Sequence, residues 1–464
     1  MFRYRGCLSN LIVGAACLAS APAGAVSLLA VPAADGSSLS LSVCAEAAPS
    51  LVLYASRSAQ DFLQSVAVAD GVGSERRGRS LRLAPWPGGC ARLGIDLGRI
   101  TAAARPDQGF RLEQVLLTAA ESWLWRPADS AELRFDLPAG WQVSTPYARC
   151  GTNCFRLWPE AADGPAFIVL GPLDRREIRL PGGVVERVIL PGGDAAGRAR
   201  LDRYAEHSLC LVQVAYGQLP VAHLQMLLVP LPGRQRAVLF GQVYRGGLGG
   251  IQVLVDPERP WSEFADNWIA PHEFTHLMHP YLGDDSRWLS EGLASYQQNA
   301  ILARAGLLSA ATAWTKLLQG FDRGRRRDLQ ATLPEASTHM HRADAYMPVY
   351  WGGAGFWLEA ELALIEQRQL DLDQLLDRFR ACCLPPSEDW NGPRFLAALD
   401  RLSESTIFTD TARRYWRQRG FPDLGASLQR LGIALDGKRL SLDPDPAKAA
   451  LRARLLRAGQ RRPC

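Results

Sequence analysis

The stretch His272-Glu273-Phe274-Thr275-His276 constrains this chain more than any other. On an α-helix the two histidines lie one turn apart on the same face, at a separation that lets both imidazoles bind one zinc ion. Glu273 falls beside that face, where it can hold a metal-bound water and accept its proton. With seven His in the whole chain, a random match to this pattern is expected in fewer than about one in a hundred chains of this composition. The stretch asks for a helix and points to a metal centre.

A length of 464 residues allows two or three domains, and 47% hydrophobic with 21% charged residues is the composition of a globular protein. The net charge of +5 is modest and partly clustered, in Arg323, Arg325, Arg326 and Arg327 and again in Arg452, Arg454, Arg457, Arg461 and Arg462. No aromatic-interleaved basic pattern accompanies these clusters, so they read as a solvated loop and a frayed tail, not a nucleic-acid surface. At the N-terminus, Arg3 and Arg5 precede a mostly apolar run from Leu8 to Ser20 and a small-x-small site at Ala23-Gly24-Ala25. That is a secretory signal over residues 1–25, cleaved before Val26. Cys17 offers lipoprotein anchoring instead, but a large aliphatic residue is missing where such a signal wants one. No later segment is apolar for long enough to span a bilayer. The expected product is exported, periplasmic or extracellular. Eight cysteines remain after residue 25, an even number that suits disulfides in an oxidising compartment. Cys44 with Cys90 and Cys150 with Cys154 are the expected pairs.

Residues 26–190 carry short alternating runs bounded by Gly, Pro, Asp and Asn, such as Ser38 to Val43, Leu51 to Ala55, Ala131 to Leu137 and Ala166 to Leu170. They read as a β-sandwich-like or barrel-like domain that serves as scaffold. Beyond Gly192, Arg198 to Tyr216 has helical periodicity, and Leu224 to Leu231, Ala237 to Tyr244 and Ile251 to Val255 look like strands. The motif helix is expected to begin near Pro271 and to end by Pro280 and Gly283. A second begins near Trp288 after Asp284, Asp285 and Ser286, and the chain is then mainly helical to about Arg430. Residues 441–464 read as a basic, loosely held tail.

Two histidines and a water do not complete a zinc site. Glu291, in Trp288-Leu289-Ser290-Glu291-Gly292-Leu293-Ala294-Ser295-Tyr296, lies on the next helix and can be brought over the histidine pair. Together, these two segments resemble the gluzincin zinc metallopeptidases, and Trp-Leu-x-Glu-Gly is similar to the leukotriene A4 hydrolase-type and glycyl aminopeptidases. The resemblance spans roughly Leu224 to Leu435. It implies an α+β chain: a β-rich N-terminal domain, a thermolysin-like catalytic core over 191–325 and a helical continuation of the catalytic unit over 326–440. It implies one Zn2+ per chain, held by His272, His276 and Glu291. His279 stands where a metzincin would place a Gly, and Leu282 where it would place its third ligand, which excludes that family.

The resemblance also implies a tyrosine that stabilises the oxyanion, downstream of the third ligand. Tyr350, in Tyr350-Trp351-Gly352-Gly353, fits that role, with Tyr346 as the fallback; His339 and His341 read as surface loop. The aminopeptidases that this chain resembles carry a Gly-x-Met-Glu-Asn phrase upstream whose Glu holds the substrate amine. The corresponding place here is read as Gly246-Gly247-Leu248-Gly249-Gly250, which has no acid, so strict aminopeptidase action does not follow. Only 14 residues separate His276 from Glu291, fewer than in those aminopeptidases, which implies a trimmed connecting loop. The expected function is hydrolysis of a peptide or protein substrate by zinc-activated water with Glu273 as general base. Amino-terminal and internal cleavage both stay open. The competing readings are hydrolysis of a non-peptide amide or a cell-envelope peptide, and a non-catalytic zinc-binding module of the cell envelope.

Overall fold

Alternating burial builds the first layer. Leu28 and Ala30, then Leu39, Leu41 and Val43, then Ala91, Leu93 and Ile95 all turn into one core from neighbouring strands. A computed structural model of the chain describes residues 26–55, 58–102, 105, 108–158, 166–245, 247–327, 329–384, 389–436 and 439–457. The expected signal segment with Cys17, and residues 458–464 with Cys464, lie outside these. The N-terminal β-region comprises a seven-stranded sheet and two four-stranded sheets. Cys44 stands directly across from Cys90 on neighbouring strands and is joined to it; Cys150 is joined to Cys154. A further disulfide, between the adjacent Cys382 and Cys383, was not anticipated.

The next sheet begins before residue 190. Strands β1 (Asp174–Leu180) and β2 (Gly183–Ile189) belong to a separate five-stranded sheet, not to the N-terminal sheets. Their alternation reads the same whichever sheet they join, and β2's second partner comes only after a long helix, α1 (Ala195–Tyr216). That partner is β3 (His223–Pro230), parallel to β2; β4 (Val238–Tyr244) and β5 (Gly250–Val255) complete the order β1-β2-β3-β5-β4. β4 is the edge strand, antiparallel to β5. One face of the sheet packs through Val188, Leu227, Val229 and Tyr244 against Val115, Leu117, Phe167 and Val169 of the N-terminal region. The other face meets α1 and the motif helix α2 (Ile269–Thr275).

α2 starts two residues before Pro271 because the Asn267 side chain accepts a hydrogen bond from Ile269 N–H at 3.0 Å. A 3₁₀ turn over His276–Met278 follows, and His279 is extended ahead of Pro280. The second helix, α3 (Arg287–Arg304), crosses α4 (Tyr346–Arg368) very closely. α4 is buried nearly all round from Trp351 to Ile365. Among the described residues no helix is long and apolar enough to cross a membrane.

The C-terminal segment departs from expectation. Like the expected helix α5 (Leu372–Cys383), the last described helix, α6 (Pro446–Leu456), is packed on the helical core. In α6, Leu455 and Leu456 are buried, each such side chain contributing about 1.5–3 kcal/mol. Arg457 then pairs with Glu361, Asp371 and Asp373. Basic composition concealed a packed helix: Arg452 donates to Leu431 O and Asp443 O, Arg454 to Gln369, and the capping Arg457 alone meets carboxylates.

A Cβ added to Gly353 would sit 1.8 Å from Trp288 O, and one added to Gly292 would sit 2.5 Å from Gly353 Cα. Both clashes are with backbone, which cannot give way. Gly353→Ala is therefore expected to cost 3 kcal/mol or more, at or above the top of the usual range of roughly 1–3 kcal/mol for overpacking. Denaturant unfolding measures it; an unchanged midpoint would mean that α3 and α4 do not cross this closely.

Candidate active site

All residues of α2 are buried, and its histidines reach across to α3. His272 Nε2 lies 3.2 Å from Glu291 Oε2, and His276 Nε2 lies 3.6 Å from the same oxygen. The imidazole centroids are 5.0 Å apart. Ligand atoms around a tetrahedral zinc at ordinary bond lengths stand about 3.3 Å apart, so the spacing fits.

The hydrogen bonds fix which nitrogens point inward. His279 Nδ1 is 2.8 Å from Pro280 O, a group that can only accept, so Nδ1 carries the proton and Nε2 does not. The Ser290 hydroxyl therefore donates to His279 Nε2 at 3.3 Å and accepts from His276 Nδ1–H at 3.2 Å. His272 Nδ1–H donates to Gln298 Oε1 at 2.9 Å. Gln298 is seven residues past Glu291, two helical turns along the same face. In the neutral rings each inner Nε2 is thus left with a bare lone pair facing a carboxylate oxygen. Three acceptors at this spacing repel unless a cation lies among them, and the donor set suits zinc.

A proton competes for the same place. Burial pushes His272 down, but the Glu291 hydrogen bond and the Glu273 and Glu291 charges raise it on balance. Burial takes His276 down to about 4, which keeps that imidazole neutral, as a metal ligand must be. Burial alone would raise Glu291, but His276 and His272 outweigh it and hold the carboxyl well below its usual range. Burial lifts the Glu273 carboxyl to about 7, reinforced by the Glu291 charge and opposed by His272 and Arg245.

Glu273 lies under the edge strand. A Cβ on Gly241 of β4 would fall 2.6 Å from Glu273 Cγ, so only glycine admits the carboxylate there. Val243 backbone N–H hydrogen-bonds to that carboxylate. Tyr350, in the second turn of α4, stacks on His272 with centroids 6.1 Å apart. Its hydroxyl is raised by burial and by the carboxylates of Glu291 and Glu273. The fallback Tyr346 instead bonds His341 Nδ1 at 2.7 Å. His341 and His339 are exposed.

The structure thus gathers His272, Glu273, His276, Glu291 and Tyr350 in one place. The glycine run is different. Gly246 lies outside the described residues; Gly247 to Gly249 form the β4–β5 turn, docked on the N-terminal domain by Leu248 N–H to Pro146 O at 2.8 Å. It is β4 itself, not this turn, that borders Glu273. Gln298 and the linking role of Ser290 went unread, although the seven-residue spacing from Glu291 was there to find. Trp268, 42% exposed and edge-on to His272 at 5.5 Å, and Arg245 were also missed. The other candidate metal group among the described residues, Glu132 with Cys150 and Cys154, has its sulfurs joined in a disulfide.

No profile of a known family matches the chain, and no curated protein matches its sequence. The fold does match solved structures. An aminopeptidase N family protein from Idiomarina loihiensis superposes with a TM-score of 0.64 at 14% identity, over 88% of this chain and 78% of that one. An M1 zinc metallopeptidase from Deinococcus radiodurans gives 0.53 at 16% identity, over 87% and 94%. Yeast LTA4 hydrolase in complex with bestatin gives 0.51 at 14% identity, over 86% and 68%. The chain has the gluzincin aminopeptidase-like fold, with its β-rich N-terminal and helical C-terminal regions.

If Ser290 fixes the His276 tautomer, Ser290→Ala weakens zinc binding by about 10–100-fold, as read by competition against a chelator of known affinity. Affinity equal to wild type would remove Ser290 from the site.

Proposed function

We propose that this chain is an exported zinc-dependent metallopeptidase that cleaves peptide bonds, with one zinc held by His272, His276 and Glu291. The observation that supports this most is the convergence of three lone-pair donors on one point with a buried carboxylate beside them. A zinc ion bound there supplies Lewis acidity, polarising a carbonyl and making a water easier to deprotonate.

The protein's own groups do the rest. Glu273, held by Val243 N–H against Gly241, accepts a proton at its carboxylate from the attacking water and returns it to the leaving amine. Tyr350 keeps its proton, so its O–H can donate to the carbonyl oxygen as negative charge grows there. Among the described residues no strand pairs with the outer edge of β4, and an extended peptide can lie along it and pair with its backbone. Gln298, Ser290 and His279 move no proton to substrate; they orient the two imidazoles.

Export belongs to the same proposal, and the disulfides Cys44–Cys90 and Cys150–Cys154 suit an oxidising compartment. The substrate is a peptide or protein. A non-catalytic zinc module is less well supported, because Glu273 is buried where it costs stability and binds no metal.

Metal analysis and a mixed peptide library test the reading. Wild type is expected to carry stoichiometric zinc and cleave; Glu273→Gln is expected to keep the zinc and lose turnover. Zinc without cleavage of any peptide by wild type would favour the binding module. Tyr350→Phe is expected to lower kcat by about 10²–10³-fold, with a much smaller effect on KM. If Tyr346→Phe has the larger effect, the two tyrosines exchange roles.

A further inference from the structure

Arg245 follows the last residue of β4, the strand that borders Glu273. Side chains alternate along a strand, so Arg245 shares the α2 side with Gly241 and Val243. It reaches the far end of the motif: its Nη2 donates to His276 O at 2.9 Å. Among the described residues that is its one hydrogen bond, and no carboxylate stands within ion-pair range, although a guanidinium carries five donors. Its unused nitrogens are not among the buried side-chain atoms that lack partners, and the residue is half-buried, so they open to solvent beside the site. A guanidinium stays cationic at neutral pH.

The surroundings sharpen this. From Val238 to Gly250 there is no Asp, Glu or Lys, and Arg245 is the single charge. The strand therefore has no anion that could hold a substrate amine. Here the strand offers a cation with its planar fork mostly free, a shape that matches a carboxylate through two parallel hydrogen bonds. Resting on the peptidase reading above, we propose that Arg245 is a specificity-determining residue that receives a substrate carboxylate, so that anionic peptides are preferred. The carboxylate can come from the peptide's C-terminus or from an acidic side chain.

Binding, not turnover, tests it. Zinc-loaded Glu273→Gln protein holds peptides without cutting them, and calorimetry compares three probes: acetyl-Ala-Ala-Ala, its C-terminal amide, and acetyl-Ala-Ala-Glu amide. At least one acid is expected to bind about tenfold or more tighter than the neutral amide, and which one does so identifies the source of the carboxylate. Adding Arg245→Met is expected to bring that ratio to within about twofold, and Arg245→Lys to keep part of it. Equal binding of all three probes, or no binding of any, overturns the proposal. So does an Arg245→Met variant that weakens all three alike, since that is what a mere cap on the His276 carbonyl would do. The peptidase reading fails separately, through absence of cleavage by the native enzyme.

Discussion

The site depends on how closely α3 and α4 cross. Gly292 on α3 and Gly353 on α4 meet with no room for a Cβ on either. Glu291 is the neighbour of the first glycine, and Tyr350 lies one turn before the second. Backbone contact between the glycines therefore delivers a carboxylate and a phenol to the same side of the crossing, facing α2. Trp357 Nε1–H adds a bond to Leu289 O at 2.8 Å within the same interface. A wider crossing would leave Glu291 short of the histidines and Tyr350 off the His272 ring.

The cost of the arrangement is electrostatic. Two bare imidazole nitrogens and a carboxylate oxygen are held within 3.2 and 3.6 Å, with a second carboxylate, Glu273, buried alongside. Burying a charge or an unpaired acceptor is expensive. The fold offsets this with fixed donors: Gln298, the Ser290–His279–Pro280 chain, and Val243 N–H on Glu273. Such a set favours a cation at the common point, and the rigid helices around it leave the side chains few other rotamers.

What could be read from the sequence followed from local spacing. His272, Glu273 and His276 are fixed by helical periodicity, and Glu291 by a second local phrase one turn-loop away. The two expected disulfide pairs form, and the ring of Tyr350, singled out by the resemblance, lies against His272. What escaped depended on contacts distant in the chain. β1 and β2 alternate as any strands do, and only pairing with β3 assigns them to the five-stranded sheet. The glycine run looked like a substrate loop, yet Pro146, about a hundred residues earlier, makes it a docking turn. The C-terminal arginines looked like a tail because their partners lie far upstream: Glu361, Asp371 and Asp373 for Arg457, Gln369 for Arg454 and Leu431 O for Arg452. Arg245 had no motif around it; strand register alone brings it to His276 O.

The central claim is that His272, His276 and Glu291 converge on one zinc. X-ray absorption at the zinc edge of the purified, unmodified protein tests it most directly. The account predicts one zinc per chain with a shell of only nitrogen and oxygen at about 2.0–2.2 Å, including the outer scattering of two imidazoles. A sulfur shell near 2.3 Å, or a protein purified without zinc that takes up none, would contradict it.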